Sequence, residues 1–518
     1  MESGKLTLDN LCIFGNPYFI MNDSLSTLNL TQLNLDDATR ELIQRLLNHI
    51  ETLEAECQEL REENQRLQDL VQHLKGQKPK PQFKANRPPL SKGDESTSAE
   101  RASPKPGPTK VPRAERIQID REEVVSLDRS QLPPDFECRG YRDVIIQNLR
   151  FQTDNVRYRL ERGSSAGTGE FFEAKLPQAL QGESFGPELQ AFVLTLHFEL
   201  RVPEDKIWEL LNAQGIVISA GQISNILIKK HLERFARERK AILAAGVETT
   251  RYQHIDDTSL RVSGVNHYLS TVGNPHFACF FIHRYKNRDT IADLFSLQRL
   301  DAPPSESGSR APPTETAEAL EHKALSEAVF ILMADGAPQF NGQTEHRALC
   351  WIHEERHYAK LRPYFETHQK LLDDFRSEIW AYYDRLKAYA AAPTQAEKQA
   401  LSEAFDELFS RTTGYDALDD RIALTRAKKK ELLVSLDFPD VPLDNNLAER
   451  DLREGVVKRK ISYGPRVPDG AQAWEVFLTL LATCRKNGVN FYTYLCDRIS
   501  QTNQMPPLAT LVRAHAPT

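Results

Sequence analysis

Five leucines recur every seven residues in the N-terminal part of the chain, between Leu46 and Leu74. The companion seam positions hold mostly β-branched residues and one asparagine. This pattern is typical of a long helix in a parallel two-stranded coiled coil, where Asn64 would pair with its own copy. We predict a leucine zipper over residues 36–76 that forms a homodimer or a higher oligomer, with a long helix docked on its own protein as the alternative. The predicted dimer contacts are Leu46, Leu53, Leu60, Asn64 and Leu67.

A chain of 518 residues is too long for one hydrophobic core, so we expect several domains. Residues 1–35 receive no assignment, residues 77–116 form a basic, proline-rich linker, and residues 117–185 are predicted as a small β-rich module with strands over 144–146, 155–160 and 170–172. Seven scattered cysteines without a C-x-x-C pair argue against a disulfide framework. With no apolar run long enough for a bilayer and no secretion signal, we expect a cytoplasmic protein without a membrane partner.

Residues 186–245 carry helical periodicity broken at Gly215, which predicts a helix–turn–helix unit. Its third helix begins at Ser219 and presents Gln222, Ser224 and Asn225 outward, where two of them would reach base edges in a major groove. Many three-helix units bind no DNA. The net charge of −7 also requires any DNA contact to use local basic patches.

After Tyr252 the pattern changes to short strands, two of which are predicted to end in an aspartate, at Asp256 and at Asp335. Glu449 lies on a later amphipathic helix entered from Pro442, with Asp444 or Asn445 as its N-cap. Each acid alone fits a turn, a cap or a solvated helix face. Together, three carboxylates on two strand ends and a helix can hold two divalent ions about 3.5–4 Å apart for phosphoryl transfer. The oxygen donors fit Mg²⁺, or Mn²⁺ in its place.

Five segments in this region resemble the DDE-type transposases of the sixty-six family of bacterial insertion sequences: HIDDTSLRV, FILMADGAPQFN, ALCWIHEERHY, LDNNLAERDLR and VVKRKISYG. The resemblance covers about residues 252–500, and the zipper and helix–turn–helix precede it in the family's order. It implies an RNase H-like catalytic core with Asp256, Asp335 and Glu449 as the metal-binding triad. Asp257, where the family often has glutamate, is treated as a neighbour.

The resemblance also implies that His353, in the C-x-x-H segment after the second aspartate, lies near the active site and contacts phosphate or orients DNA. The alternative is a histidine satisfied at a strand end. Arg356, one helical turn on, is a candidate backbone contact. The family's four-cysteine zinc segment has no counterpart here, since Cys138 stands alone in that region. The remaining candidate DNA contacts are Arg450, Lys458, Arg459 and Lys460.

The domain prediction is therefore an α/β multidomain chain, with catalytic segments at 246–353 and 443–518 and a mostly helical insertion at 354–442. The expected function is a nucleoid-associated transposase that binds terminal inverted repeats, cleaves DNA strands and joins them to target DNA. Accessory proteins of the same element are possible partners. The alternatives are a catalytically inactive DNA-binding protein and a stand-alone RNase H-like nuclease.

Overall fold

The computed structural model describes residues 36–74, 119–125, 141–147, 152–165, 167, 169–294 and 329–516. The predictions for residues 1–35 and for the linker 77–116 lie outside these ranges. The chain forms two compact units, one made of residues up to Glu59 together with Asp154 onward, and the other of Leu60–Thr153. Among the described helices, none combines the length and the apolar character needed to span a bilayer.

Helix α1 (Asp37–Leu74) is one continuous helix, as predicted for most of residues 36–76. Leu47 is only 4% exposed and packs in a small cluster with Phe365. The Asn48 amide donates to Gly414 O at 3.0 Å and to the Asp416 carboxylate at 2.9 Å. The first part of the helix therefore docks on its own chain. Two residues at companion positions of the predicted seam, Ile43 and Ile50, also pack against this cluster.

The leucine row of α1 points away from that docked face. Between 46% and 69% of each side chain is exposed at Leu46, Leu53, Leu60 and Leu67. Asn64 is exposed as well and accepts a hydrogen bond from Gln68. Self-association through this row remains a prediction.

Two three-residue strands, β1 (Arg162–Ser164) and β2 (Phe171–Glu173), form an antiparallel hairpin with all six residues exposed. Only β2 coincides with a strand predicted for the β-rich module. The described residues 141–147 and 152–161 contain no strand. Their side chains are exposed, so the apolar layer that would stabilise such strands is missing from the described part of this region.

Three short helices follow: α2 (Pro187–Phe198), α3 (Glu204–Ala213) and α4 (Ala220–Asn225). We call these the three-helix unit. Ser219 caps α4 in a capping box with Gln222. A π-helical turn over Ile226–Lys230 separates α4 from α5 (Leu232–Val247). The predicted third helix therefore begins where expected but is interrupted after one and a half turns.

Five strands build the central sheet: β3 (Tyr252–Val262), β4 (Val265–Asn274), β5 (Phe277–His283), β6 (Ile331–Ala334) and β7 (His346–Leu349). Their order is β5-β4-β3-β6-β7. The pairs β3–β4 and β4–β5 are antiparallel, whereas β6 runs parallel to β3, and β7 parallel to β6. Helix α6 (Arg288–Leu294) follows β5. The five predicted strands are present, although β7 ends at Leu349 and does not extend to Ile352.

The segment after β7 is helical, as predicted: α7 (Trp351–Ala359), α8 (Glu366–Ala391), α9 (Gln395–Leu408), α10 (Asp416–Ala427), α11 (Lys429–Leu432) and α12 (Val434–Asp437). It has a core of its own around Trp351, Phe375 and Phe405. The two ends of this insertion meet at the sheet. Trp351 N donates to Leu443 O at 2.9 Å, and Asn445 N donates to Cys350 Sγ at 3.2 Å.

Four helices complete the fold: α13 (Asn446–Ile461), α14 (Pro468–Lys486), α15 (Phe491–Ile499) and α16 (Leu508–Arg513). Helix α14 packs across β5, and α13 packs on β3 and β4. Phe477 of α14 contacts Phe198 of α2 and Phe235 of α5. One hydrophobic core therefore joins the three-helix unit to the sheet and its closing helices.

Gly246 allows α5 to approach the sheet closely, because a Cβ there would lie 2.3 Å from the fully buried ring of Phe277. We expect Gly246→Ala to lower the free energy of unfolding by about 1–3 kcal/mol, the cost of overpacking. The higher helix propensity of alanine offsets at most about 1 kcal/mol of this. Urea denaturation measures the change.

Gly221→Ala is the matched control, since Gly221 also lies in a helix but a Cβ there would meet no atom within 4 Å. That variant should be neutral or slightly more stable. Equal effects of the two substitutions would show that the contact with Phe277 is not what selects glycine.

Candidate functional site

Asp256 and Asp335 lie on neighbouring parallel strands. The ladder between β3 and β6 pairs His254 with Met333, so two residues further on Asp256 is level with Asp335. Level residues on adjacent strands face the same side of a sheet, about 4.8 Å apart across the ladder. Asp335 follows the last residue of β6, as predicted, but Asp256 lies within β3 and not at its end. The two carboxylates meet where β6 stops and β3 continues.

Asp257 points to the opposite side of β3, since successive side chains alternate. Its carboxylate lies 2.7 Å from Lys286 Nζ and accepts a hydrogen bond of 2.9 Å from the Gln339 amide. Only 4% of the Asp257 side chain is exposed. The charge of Asp257 is therefore balanced by Lys286.

Glu449 lies in the first turn of α13. Its Oε1 is 3.4 Å from His353 Nε2 and 3.3 Å from Arg356 Nη1, both on α7. The structure therefore brings three predicted site residues together. His353 lies in the first turn of a helix and not at a strand end, because β7 stops before Cys350.

The electrostatics connect Glu449 to the two aspartates. Burial raises the pKa of Asp256 to about 7, an effect opposed by the backbone N–H of Asp257 and strengthened by the negative charges of Asp335, Asp257 and Glu449. Burial lowers the pKa of His353, while Glu449 raises it. The charges of Asp335 and Glu449 thus both act on the carboxyl group of Asp256.

The carboxylate oxygens of this site are the type of ligand that Mg²⁺ prefers. A divalent cation would also offset the repulsion between the carboxylates. In the described residues, however, no three acidic, histidine or cysteine side chains are gathered closely enough to hold an ion. Glu449 is engaged by His353 and Arg356 instead.

Asn445 joins three elements of the site. Its Nδ2 donates to Ile255 O at 2.8 Å, next to Asp256, and its Oδ1 lies 2.8 Å from His254 Nδ1. Asn445 is 0% exposed and His254 is 2% exposed. Burial lowers the pKa of His254 to about 4, so this histidine is neutral at pH 7 and its Nδ1–H donates to Asn445.

Together with the bond from Asn445 N to Cys350 Sγ, these contacts fix the start of α13 against β3 and the start of α7. The sequence predicts Asn445 on the solvated side of an amphipathic helix or at its N-cap. Asn445 is the N-cap residue of α13, but its side chain makes no cap hydrogen bond. The predicted solvated placement is wrong, since the side chain is buried. The partners lie about 190 positions away, and no local pattern points to them.

Lys458 was predicted to contact phosphate, and the structure contradicts this. The side chain is 0% exposed, and its Nζ donates to His197 O at 2.8 Å and to Ser462 Oγ at 3.1 Å. The amine lies about 5 Å from the ring centres of Phe198 and Trp474. Lys458 therefore ties α13 to the three-helix unit. The other candidate contacts on α13 remain exposed or half-buried: Arg450, Arg459 and Lys460.

Burial lowers the pKa of Lys458 from 10.5 to about 7. The unfolded chain keeps this proton up to about pH 10, so between these values the unfolded state binds more protons and stability rises with pH. Lys458→Met has no proton to lose there. We expect the wild-type chain to gain roughly 2–4 kcal/mol relative to Lys458→Met between pH 7 and pH 10. Urea denaturation of both proteins at several pH values tests this, and parallel profiles would contradict it.

The predicted base-reading residues lie at the surface of α4. Gln222 and Asn225 are exposed, Ser224 is half-buried, and Ile223 is buried as expected. The Gln222 carboxamide oxygen accepts hydrogen bonds from Ser219, so it is engaged at the start of the helix. Asn225 is the better placed of the two to meet a ligand.

Comparison with known proteins identifies the relatives of this chain. The model of the transposase IS66 family matches residues 182–299 and 312–473, more than half of the chain. The uncharacterized protein y4jO of Sinorhizobium fredii is 30% identical over 323 residues, which are 53% of this chain and all of that protein. The uncharacterized protein y4qI of the same organism is 23% identical over 181 residues, a third of each chain.

Proposed function

The chain belongs to the IS66 family of transposases, and from this membership we propose that it catalyses metal-dependent cleavage and transfer of DNA strands with Asp256, Asp335 and Glu449. The observation that carries the proposal is the placement of Asp256 level with Asp335 on adjacent parallel strands, with Glu449 acting on the same site. Three acids separated by up to 193 positions in sequence therefore lie on elements that pack against one another.

The sheet supports an RNase H-like core. Three antiparallel strands are followed by two strands parallel to the first, in the order β5-β4-β3-β6-β7. The first acid lies on the central strand, and the second ends the neighbouring parallel strand. The helical insertion leaves the sheet after β7 and returns just before Glu449.

We propose that Asp256, Asp335 and Glu449 hold Mg²⁺ or Mn²⁺, two ions being expected, which would activate the attacking oxygen and stabilise the leaving oxygen. Glu449 must give up its contacts with His353 and Arg356 to do so. The imidazole of His353 and the guanidinium of Arg356 would then be available to donate to DNA phosphates, a role that their exposure of 28% and 49% permits. In the DNA-free state the charge of Arg356 offsets that of Glu449.

For the remaining parts, α4 with Asn225 is the proposed contact to the terminal inverted repeats, and the leucine row of α1 is the proposed surface for homodimers or higher oligomers. A second copy is a suitable occupant because Leu53, Leu60 and Leu67 keep the heptad spacing. Asn64, at a companion position of the same seam, is the kind of polar residue that sets register in parallel pairs.

The test uses the full-length chain and duplex DNA carrying the inverted repeats that flank its gene. We expect strand cleavage at the repeat end only when Mg²⁺ or Mn²⁺ is present, followed by products in which repeat ends are joined to target DNA. Binding without cleavage would favour the inactive DNA-binding protein. Cleavage without joined products would favour the nuclease.

A further inference from the structure

A surface cavity of about 540 Å³ lies between the β3–β4 hairpin and the last turns of α13. Two arginines of different elements, Arg261 and Arg459, line it with Asn266, His267 and Tyr268. Guanidinium groups beside a tyrosine and an asparagine are the donors that bind phosphate oxygens in nucleic acids. Among the described residues that line the cavity there is no carboxylate. Its chemistry is that of an anion site.

The two arginines differ from others nearby in how their charge is balanced. Arg201 and Arg485 are both paired with Glu454. Within the part of the chain that the structure describes, neither Arg261 nor Arg459 makes an ion pair or a hydrogen bond through its side chain. Bringing two uncompensated like charges to one cavity costs free energy, which an anionic ligand would recover.

The cavity lies at a defined distance from the acidic site. Arg459 is ten residues beyond Glu449 on the same helix, which corresponds to about 15 Å. Arg261 is five residues beyond Asp256 on the same strand, which corresponds to about 17 Å along β3. Since this spacing is odd, the Arg261 side chain leaves β3 on the side of Asp257. Because α13 packs on β3, the two elements run side by side from the carboxylates to the cavity. One strand of duplex DNA advances about 3.4 Å per nucleotide, so the separation spans four or five nucleotides.

The same cavity borders the segment that joins α13 to α14, and the first turn of α14 approaches the turn after α4. Gly464 is packed so closely that a Cβ there would lie 2.9 Å from Arg261 O. Ser263 Oγ donates to Arg466 O, and Asp469 lies 3.7 Å from Lys229 in the turn after α4. The cavity therefore lies beside a segment whose continuation contacts the turn after α4.

We propose that the cavity lined by Arg261 and Arg459 binds one backbone phosphate of the terminal DNA, four or five nucleotides from the phosphodiester that is cleaved. This inference rests on the proposed transposase function and names a DNA subsite within it. The contact fixes the distance between the repeat bound by α4 and the carboxylates, so it sets the position of the cut.

The first experiment measures binding without cleavage. In the Asp335→Asn background, Arg261→Gln/Arg459→Gln should weaken affinity for a repeat-end duplex. It should also reduce the slope of log K against log salt by about 1–2, the effect of losing one or two phosphate contacts. The control removes two ion-paired arginines of the insertion, Arg385→Gln/Arg411→Gln. An unchanged slope in the cavity variant, with thermal unfolding like that of the parent, overturns the proposal.

The second experiment uses cleavage-competent protein and duplexes with one neutral methylphosphonate at successive positions. In the wild-type chain, a neutral linkage four or five nucleotides from the cut should lower the cleavage rate about tenfold. The cavity variant should cleave every duplex slowly, and a neutral linkage at that position should not lower its rate further. Equal sensitivity of both proteins overturns the proposal. If no protein cleaves, the proposed function fails, while the salt slopes still decide whether the cavity binds phosphate.

Discussion

Replacing Asp335 by asparagine is expected to reduce DNA strand cleavage at least about a hundredfold while leaving affinity for the repeat ends within about twofold. The amide keeps the shape of the side chain but removes one of the negative charges that would hold the metal ions. It also relieves repulsion with Asp256, so the free energy of unfolding should not fall. The assays are single-turnover cleavage in Mn²⁺ and a mobility shift on the same duplex.

Asp373→Asn, an exposed aspartate on α8, is the matched control and should cleave like the wild-type chain. Asp335→Asn that still cleaves within tenfold of wild type would remove this residue from the metal site. Loss of binding together with cleavage would place Asp335 in DNA recognition instead.

Asn445→Ala is expected to have the second-largest effect. The substitution leaves the His254 Nδ1–H and Ile255 O without partners in a fully buried place, which should lower the free energy of unfolding by about 2–4 kcal/mol. It also frees the start of α13 from β3, so Glu449 loses its fixed position relative to Asp256. Where the variant is folded, we expect kcat for cleavage to fall by about tenfold or more while DNA affinity stays unchanged.

Two further variants separate positioning from general stability. Asn445→Asp keeps an acceptor for His254 but cannot donate to Ile255 O and buries a charge, so it should not restore activity. Asn446→Ala changes the next residue, which is half-buried, and should retain most cleavage. If Asn445→Ala loses stability yet keeps the wild-type kcat, the residue only supports the fold.

The features that the sequence predicted well depend on local pattern. The hydrophobic runs of the sheet and the helical periodicity after Pro363 identify their elements because burial of one face leaves a regular signature. Asp335 was placed correctly because it follows an apolar run and precedes glycine. The sequence predicts Asp256 at a strand end, but β3 continues to Val262 because β4 pairs with it up to that residue.

What the sequence could not predict depends on partners remote in the chain. The position of Lys458 within a basic run predicts a solvent-exposed charge, but its amine lies against the rings of Phe198 and Trp474, the first of them 260 positions earlier. The heptad pattern likewise cannot separate a seam between two copies from a face that docks on the same chain. Leu47, outside the leucine row, is the most buried apolar residue of α1.

The meeting of the insertion's two ends has an evolutionary consequence. Since Trp351 N is bonded to Leu443 O, the roughly ninety residues between them leave and re-enter the sheet at one point. A change in the length of an insertion whose ends meet costs little free energy of folding, because the entropy of loop closure changes only with the logarithm of the length. The insertion can therefore be remodelled or exchanged among relatives while the acidic residues keep their places.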